Sequence, residues 1–381
     1  MKSFILNLLL FTFVLLVGLE LIFRTLIPAS NIAYKALDPT YQILLHDTSG
    51  TRDGQSTTGR LLMQKVQWHI NNCGWRSNKD YLPPSPARKP VIALIGDSYI
   101  AGFQVNYQDH LATRLEKLLG NRYDVYNLGS GGVPASQYMY VAKYAHERFA
   151  PDLYIFLVRD ATWANSITNY QRDSKVRQIR WVQDHFEEVL PRFMSGSLSR
   201  LRKGSALIRY IVYNANLDLT VGVTGVSHRV ALLPADAAPR EFKDTYPLVR
   251  PAMEYLLGKL RADVPDKPIL FLTNVNIEAV YNGRPGQSQC ILPWLQEVAA
   301  PKGIHVLDLA PAFAADYDAQ HLPLTFDVDY HWNERGHQVV ADTVYKYLMQ
   351  EHLLDAPRTE SDSAQTLTRA AGPNLGVTVL R

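Results

Sequence analysis

Five consecutive apolar residues, Val91–Ile95, stand between Pro90 and Gly96. A run this short, with no polar alternation, fits a strand buried on both faces, and such strands belong to parallel sheets covered by helices on either side. The rest of the chain must then supply parallel neighbours and covering helices. Further short apolar runs at 124–128, 153–158, 269–273 and 304–307 read as strands. Between them, residues 110–119, 137–149, 251–261, 294–300 and 334–349 carry apolar residues at helical spacing. This alternation predicts an α/β fold with a doubly wound, five-stranded parallel sheet and right-handed crossovers.

Outside that alternation lie four other stretches. Phe4–Phe23 is almost continuously apolar, broken by Asn7, Thr12, Gly18 and Glu20; as a helix it spans about 30 Å, enough to cross a membrane. Residues 1–28 are read as an N-terminal transmembrane helix. A cleaved signal peptide passes the same test, but the run exceeds a usual signal core and no A-x-A-like site follows. Residues 29–90, irregular and closed by YLPPSPARKP, read as a spacer with one edge strand around Val66, Trp68 and Ile70. His69 there reads as structural.

Residues 91–350 form the main domain, interrupted at 165–241 by an insertion bearing Arg172, Lys175, Arg177, Arg180, Arg192, Arg200, Arg202 and Lys203. Two readings of the insertion stand: a solvated helical excursion, or a lid with a basic face toward anionic lipid or acidic polysaccharide. Residues 351–381 lack apolar periodicity and read as a flexible tail.

With 39 Lys and Arg against 36 Asp and Glu, the formal charge is only +3, and no basic block resembles a nucleic-acid arm. Nucleic acid is not an expected partner. Two cysteines, Cys73 and Cys290, occur without CxxC or His-rich clusters, so no metal site is expected; one disulfide or two buried thiols both fit.

Ser98 follows the first strand directly, where open parallel sheets bind ligands and a helix is expected to begin. In VYNLGSGGVPASQ (125–137), glycines 129, 131 and 132 follow the second strand. Their spacing is not the dinucleotide fingerprint, so no nucleotide cofactor is expected, but a glycine N–H there can meet a substrate oxygen. DVDYHWNERGH (327–337) precedes the last helix and offers His331 beside Asp327 and Asp329. A serine becomes nucleophilic when an imidazole takes its proton and a carboxylate holds the ring, and its oxyanion needs fixed donors.

GDSY (96–99), NLGSGG (127–132) and DYHWNERGH (329–337) resemble the blocks of the SGNH (GDSL-type) hydrolase family. The anchor ending in Glu20 and Arg24, and INNCGWRS before the nucleophile strand, resemble its membrane-anchored bacterial branch. The resemblance implies a flavodoxin-like α/β/α sandwich, ester hydrolysis or acyl transfer, no cofactor, no metal, and an inner-membrane protein with its catalytic domain in the periplasm or outside the cell. It implies Ser98 as nucleophile and oxyanion donor, Gly132 as second donor and His331 as base. The D-x-H-W spacing is like that of alginate acetyltransferase-like relatives and favours Asp329 as the acid, with Asp327 second. At the family's third-block asparagine stands Arg159, followed by Asp160. Either Arg159 serves the oxyanion hole as a charged donor, which is the expectation, or Asn165 substitutes from further along, or the hole is crippled; Asp160 and Asn165 are expected near substrate. The expected function is a serine esterase or O-acyltransferase, with acetyl as the expected acyl group, acting on an acylated cell-envelope or extracellular carbohydrate. The alternative is a non-catalytic glycan-binding or assembly protein on the same fold.

Overall fold

The computed structural model describes residues 2–27, 29–31, 33–58, 64–168, 176–192, 204–214, 246–283, 291–327 and 330–354. The apolar N-terminal run is one helix, Lys2–Thr25 (α1), none of whose side chains is buried; it is long and apolar enough to cross a membrane. Two antiparallel pairs follow: Lys35–Leu37 (β1) with Leu44–His46 (β2), and Asp53–Thr58 (β3) with Gln64–His69 (β4). Ile43, Leu44, Trp75 and Tyr81 from this region pack in the same core cluster as the central sheet.

The main domain then alternates as its pattern requires. Val91–Gly96 (β5) leads into Ser98–Ala101 (α2), followed by Leu111–Leu118 (α3), Asp124–Gly129 (β6), Ala135–Phe149 (α4), Leu153–Val158 (β7) and Asp160–Ala164 (α5). The insertion contributes a hairpin of Gln178–Val182 (β8) and His185–Val189 (β9), and a short helix, Ala206–Arg209 (α6), that widens into a π turn at Tyr210–Asn214. Tyr246–Asp263 (α7), Ile269–Thr273 (β10), Ile277–Tyr281 (α8), Leu292–Ala299 (α9), Ile304–Asp308 (β11), Ala310–Gln320 (α10) and Glu334–Gln350 (α11) complete it.

The five long strands form one parallel sheet in the order β11-β10-β7-β5-β6. In sequence order this is the 2-1-3-4-5 arrangement of flavodoxin-like folds, with its switch point between β5 and β7. Successive residues of β5 face opposite layers: Val91, Ala93 and Ile95 join α4, α7 and α9, while Ile92 and Leu94 join α3, α10 and α11. That two-sided burial is why the run carries no polar alternation.

Two local expectations differ from what forms. The helix after Ser98 is a single turn, ended by Gly102 at φ 58°, so its dipole is small. The described part of the insertion combines the short helix α6 and its π turn with a β-hairpin that the charge-rich pattern did not suggest, the hairpin held by Ile179, Phe186 and Val189, which are all buried. Its basic residues are partly neutralised in place: Arg180 pairs with Glu187 at 2.8 Å and Arg177 with Glu188 at 3.4 Å. Arg172, Lys175, Arg200, Arg202 and Lys203 lie outside the described residues, as do Cys290 and residues 355–381.

Candidate active site

The carboxyl ends of β5 and β6 are level, with Gly96 paired to Gly129. This brings the serine turn and the glycine loop side by side. Gly129 is required by the approach: a Cβ there would stand 2.3 Å from the Ala101 nitrogen and 2.5 Å from the Ile100 carbonyl carbon, both backbone atoms of α2. Ser98, half-buried, therefore sits directly over the sheet's end. Gly131 lines the same spot, since a Cβ on it would touch Ser98 Cβ at 3.4 Å. Gly132 is exposed and has φ 73°.

His331 arrives from the loop before α11. Its Nε2 lies 2.8 Å from Ser98 Oγ, so the serine O–H can donate to the ring in its Nδ1–H tautomer. The loop is tightly bound: the Phe326 N–H donates to the His331 carbonyl at 2.9 Å, and the Asn333 N–H to the Leu324 carbonyl at 3.1 Å. Asn333 caps α11 by accepting from the Gly336 N–H at 3.0 Å. Gly336 allows this closure, because a Cβ there would meet the Leu324 carbonyl oxygen at 2.3 Å. Trp332, buried beside His331, anchors the loop in the core.

Tyr99 joins the two halves. Its hydroxyl donates to the Tyr330 carbonyl at 3.1 Å, and its ring lies 4.7 Å from the His331 ring. The Arg159 guanidinium also stands over the Tyr99 ring, 5.5 Å from its centre. Tyr330 itself is exposed next to His331.

Arg159 does not stand alone beyond β7. Its Nε and Nη2 donate to Asp97 Oδ2 at 3.0 and 2.8 Å. Asp97 is buried, and its other oxygen accepts the Tyr99 N–H at 3.0 Å, capping α2. Burial pulls the Arg159 guanidinium's pKa down, but the Asp97 charge outweighs this and holds it above the ordinary value. Asp160 opens α5, and Asn165 closes it, exposed, its carbonyl accepting from Gln178 Nε2 at 2.7 Å. Asp327 is exposed; Asp329 lies outside the described residues.

Ser98, His331 and the glycine loop are thus brought together, whereas the backbone carbonyl of Asn165 bonds to Gln178 of the hairpin. The sequence reading missed two features, the Arg159–Asp97 pair and Tyr99. An arginine immediately after a buried strand was the available signal for the first. Among the described residues no cluster of His, Cys, Asp and Glu could hold a metal ion.

Sheet order and site position define the class: an α/β protein built as the SGNH hydrolases are. The chain belongs to the GDSL-like Lipase/Acylhydrolase family, whose model matches residues 94–339. Among solved structures it is similar to a member of the lipolytic protein G-D-S-L family from Veillonella parvula DSM 2008, at 12% identity, covering 68% of this chain and 98% of that one, with a TM-score of 0.37. It is similar to the lipase/acylhydrolase from Enterococcus faecalis at 12% identity, covering 71% and 99%, TM-score 0.37. A carbohydrate acetylesterase family member from Sinorhizobium meliloti aligns at 11% identity over 68% and 98%, TM-score 0.34. No curated protein matches the chain.

Proposed function

We propose that this chain is a membrane-anchored serine esterase or O-acyltransferase that handles acyl groups, chiefly acetyl, on cell-envelope or extracellular carbohydrate. The observation that carries the reading is the 2.8 Å contact between His331 Nε2 and Ser98 Oγ. Ser98 Oγ attacks the ester carbonyl carbon while its proton passes to His331 Nε2. The N–H groups of Ser98 and Gly132 receive the oxyanion, and Asp329 supports the Nδ1–H of the imidazolium. The intermediate collapses, the leaving alcohol takes the proton from His331, and the acyl group stays on Ser98. Water or a sugar hydroxyl then attacks the acyl-serine by the same route in reverse. The exposed Tyr330, together with Tyr99, supports a carbohydrate substrate, because an aromatic face with a phenol edge matches the mixed apolar and polar surface of an acylated sugar.

Anchoring is supported by contacts at the end of α1. Glu20 accepts from Ser205 Oγ and from the N–H groups of Ala206 and Leu207 at 2.8, 2.9 and 3.0 Å, and Phe23 stacks on Tyr210 at 4.1 Å. A helix bonded this way to the folded domain suits a retained anchor better than a removed signal. Its retention favours the inner membrane, with the catalytic domain in the periplasm or outside.

One observation favours a second reading, a non-catalytic glycan-binding protein: Arg159, at the family's asparagine position, is committed to Asp97. Turnover of p-nitrophenyl acetate by the full chain beside Ser98→Ala separates the two. Turnover lost in the variant, with phosphonate labelling of Ser98 in the parent, is the expected outcome. A folded parent with neither turnover nor labelling favours the binder.

A further inference from the structure

The glycine loop is held from behind by a residue remote in sequence. Lys35, at the start of β1, donates from Nζ to the carbonyl oxygen of Gly131. That carbonyl and the N–H of Gly132 belong to one planar trans peptide unit, so they point to opposite sides of it. Fixing the carbonyl on the Lys35 side therefore directs the Gly132 N–H to the other face. A peptide between two glycines has little intrinsic preference for one orientation, and Gly132 sits at φ 73° with nothing within 4 Å of a Cβ position to hold it sterically. The handle has to come from elsewhere.

The handle is also charged. Among the described residues no carboxylate pairs with Lys35, and burial pushes its ammonium down to about 8. Across the β1–β2 pair it faces His46, itself buried and held neutral by burial and by the lysine's charge. An unpaired ammonium in such a place is costly. An ammonium on a carbonyl also polarises the amide and strengthens its N–H as a donor, which matters most when negative charge develops opposite it.

We propose that Lys35 is a positioning residue that locks the Gly131–Gly132 peptide and so sets the orientation and strength of the second oxyanion donor. The inference rests on the reading of Ser98 as nucleophile and Gly132 as donor. It makes the segment before the family domain part of the catalytic apparatus, acting through the loop and not on substrate.

The test is steady-state turnover of p-nitrophenyl acetate by the full chain in detergent, comparing the parent with Lys35→Gln, Lys35→Met, Lys35→Arg and Ser98→Ala. Direct removal of an oxyanion donor typically costs about 10²- to 10³-fold in kcat; misorienting one is expected to cost on the order of 10- to 100-fold in Lys35→Met. KM should stay within about twofold, since the donor is engaged mainly in the transition state. Lys35→Arg should recover most of the loss and Lys35→Gln little of it. Gln, close in size, is the variant to read if Met impairs folding. A folded Gln or Met variant with parental kcat, or a loss carried in KM, overturns the proposal. Turnover retained by Ser98→Ala overturns the underlying reading instead.

Discussion

Arg159 and Asp97 form a forked contact behind the candidate nucleophile: two guanidinium nitrogens on one carboxylate oxygen, with the arginine 41% exposed and the aspartate 4% exposed at the side chain. The aspartate's second oxygen is already used by the Tyr99 N–H. Truncating the arginine leaves a buried, half-satisfied carboxylate at the residue before Ser98. Arg159→Ala is expected to lower stability by about 1–3 kcal/mol, toward the smaller end because water reaches the arginine's side. Turnover should fall with it, and Arg159→Lys should restore part of both. An unchanged melting temperature with turnover abolished would instead favour a direct oxyanion role for Arg159.

Tyr99 connects the serine turn to the histidine loop through a hydrogen bond to Tyr330 and ring contacts with His331 at 4.7 Å and Trp332 at 5.0 Å. Tyr99→Phe removes the bond to the Tyr330 carbonyl and keeps the ring, and should cost about 0.5–1.5 kcal/mol of stability. Tyr99→Ala also removes the ring against His331 and the face under Arg159. Its turnover should drop well below that of the phenylalanine variant, read by initial rates on p-nitrophenyl acetate. Equal rates in the two variants would show that the ring does not hold the imidazole.

Gly129→Ala sets a side-chain carbon against backbone of α2, and backbone cannot rotate away. Overpacking of this kind costs about 1–3 kcal/mol or more. The turn carrying Ser98 should shift, so labelling of Ser98 by a phosphonate is expected to slow at least tenfold at temperatures where circular dichroism still reports a folded chain. Undiminished labelling would mean that α2 is less tightly seated on β6 than these distances require.

Behind α2 lie buried histidines whose protonation the fold opposes. Burial, and then the Arg76 charge, holds the His110 ring down to about 3; burial, then His110 and Arg76, holds His337 well below its ordinary value. His46 is held to about 4 by burial and by Lys35. In the unfolded chain these rings take up protons as pH falls through about 6.5. Between that value and the folded ones, the unfolded state binds more protons, so stability falls as pH falls. Each ring contributes up to about 1.4 kcal/mol per pH unit in this window. Melting temperature should therefore drop steadily from about pH 7 to pH 5, before most carboxylates titrate, and a flat profile there would contradict neutral buried rings.

The sheet was legible because burial on both faces leaves a signature, a short run without alternation, and each of the five runs became a strand. That Ser98, the glycine loop and His331 meet was legible because they follow strand ends or precede a helix, and topology brings those places to one edge. The Lys35 contact was not, since a lone lysine in an irregular stretch carries no periodicity and its partner is 96 residues away. Arg159 stands out in the sequence at the family's asparagine position, whereas Asp97 does not stand out as its partner, because an aspartate before a helix start reads equally well as a turn residue. The insertion's hairpin was obscured by its charges, which pair across its strands rather than facing solvent alone.

Glu20 is the charge that a membrane-spanning helix should avoid, and its three accepted hydrogen bonds at the start of α6 explain its presence near the helix end. Those N–H groups would otherwise be the unsatisfied first turn of α6. Loss of such a cap costs about 0.5–2 kcal/mol, here drawn from the contact between α1 and α6. Glu20→Ala should leave the chain in the membrane fraction, because α1 keeps its apolar length. It should make the region around residues 204–214 more sensitive to limited proteolysis, with Glu20→Gln intermediate. Mass spectrometry of the chain isolated from membranes supplies the second arm: α1 should be present in the mature protein. A mature chain starting after α1 would show that the helix is a removed leader, and that the domain folds without the contacts of Glu20 and Phe23.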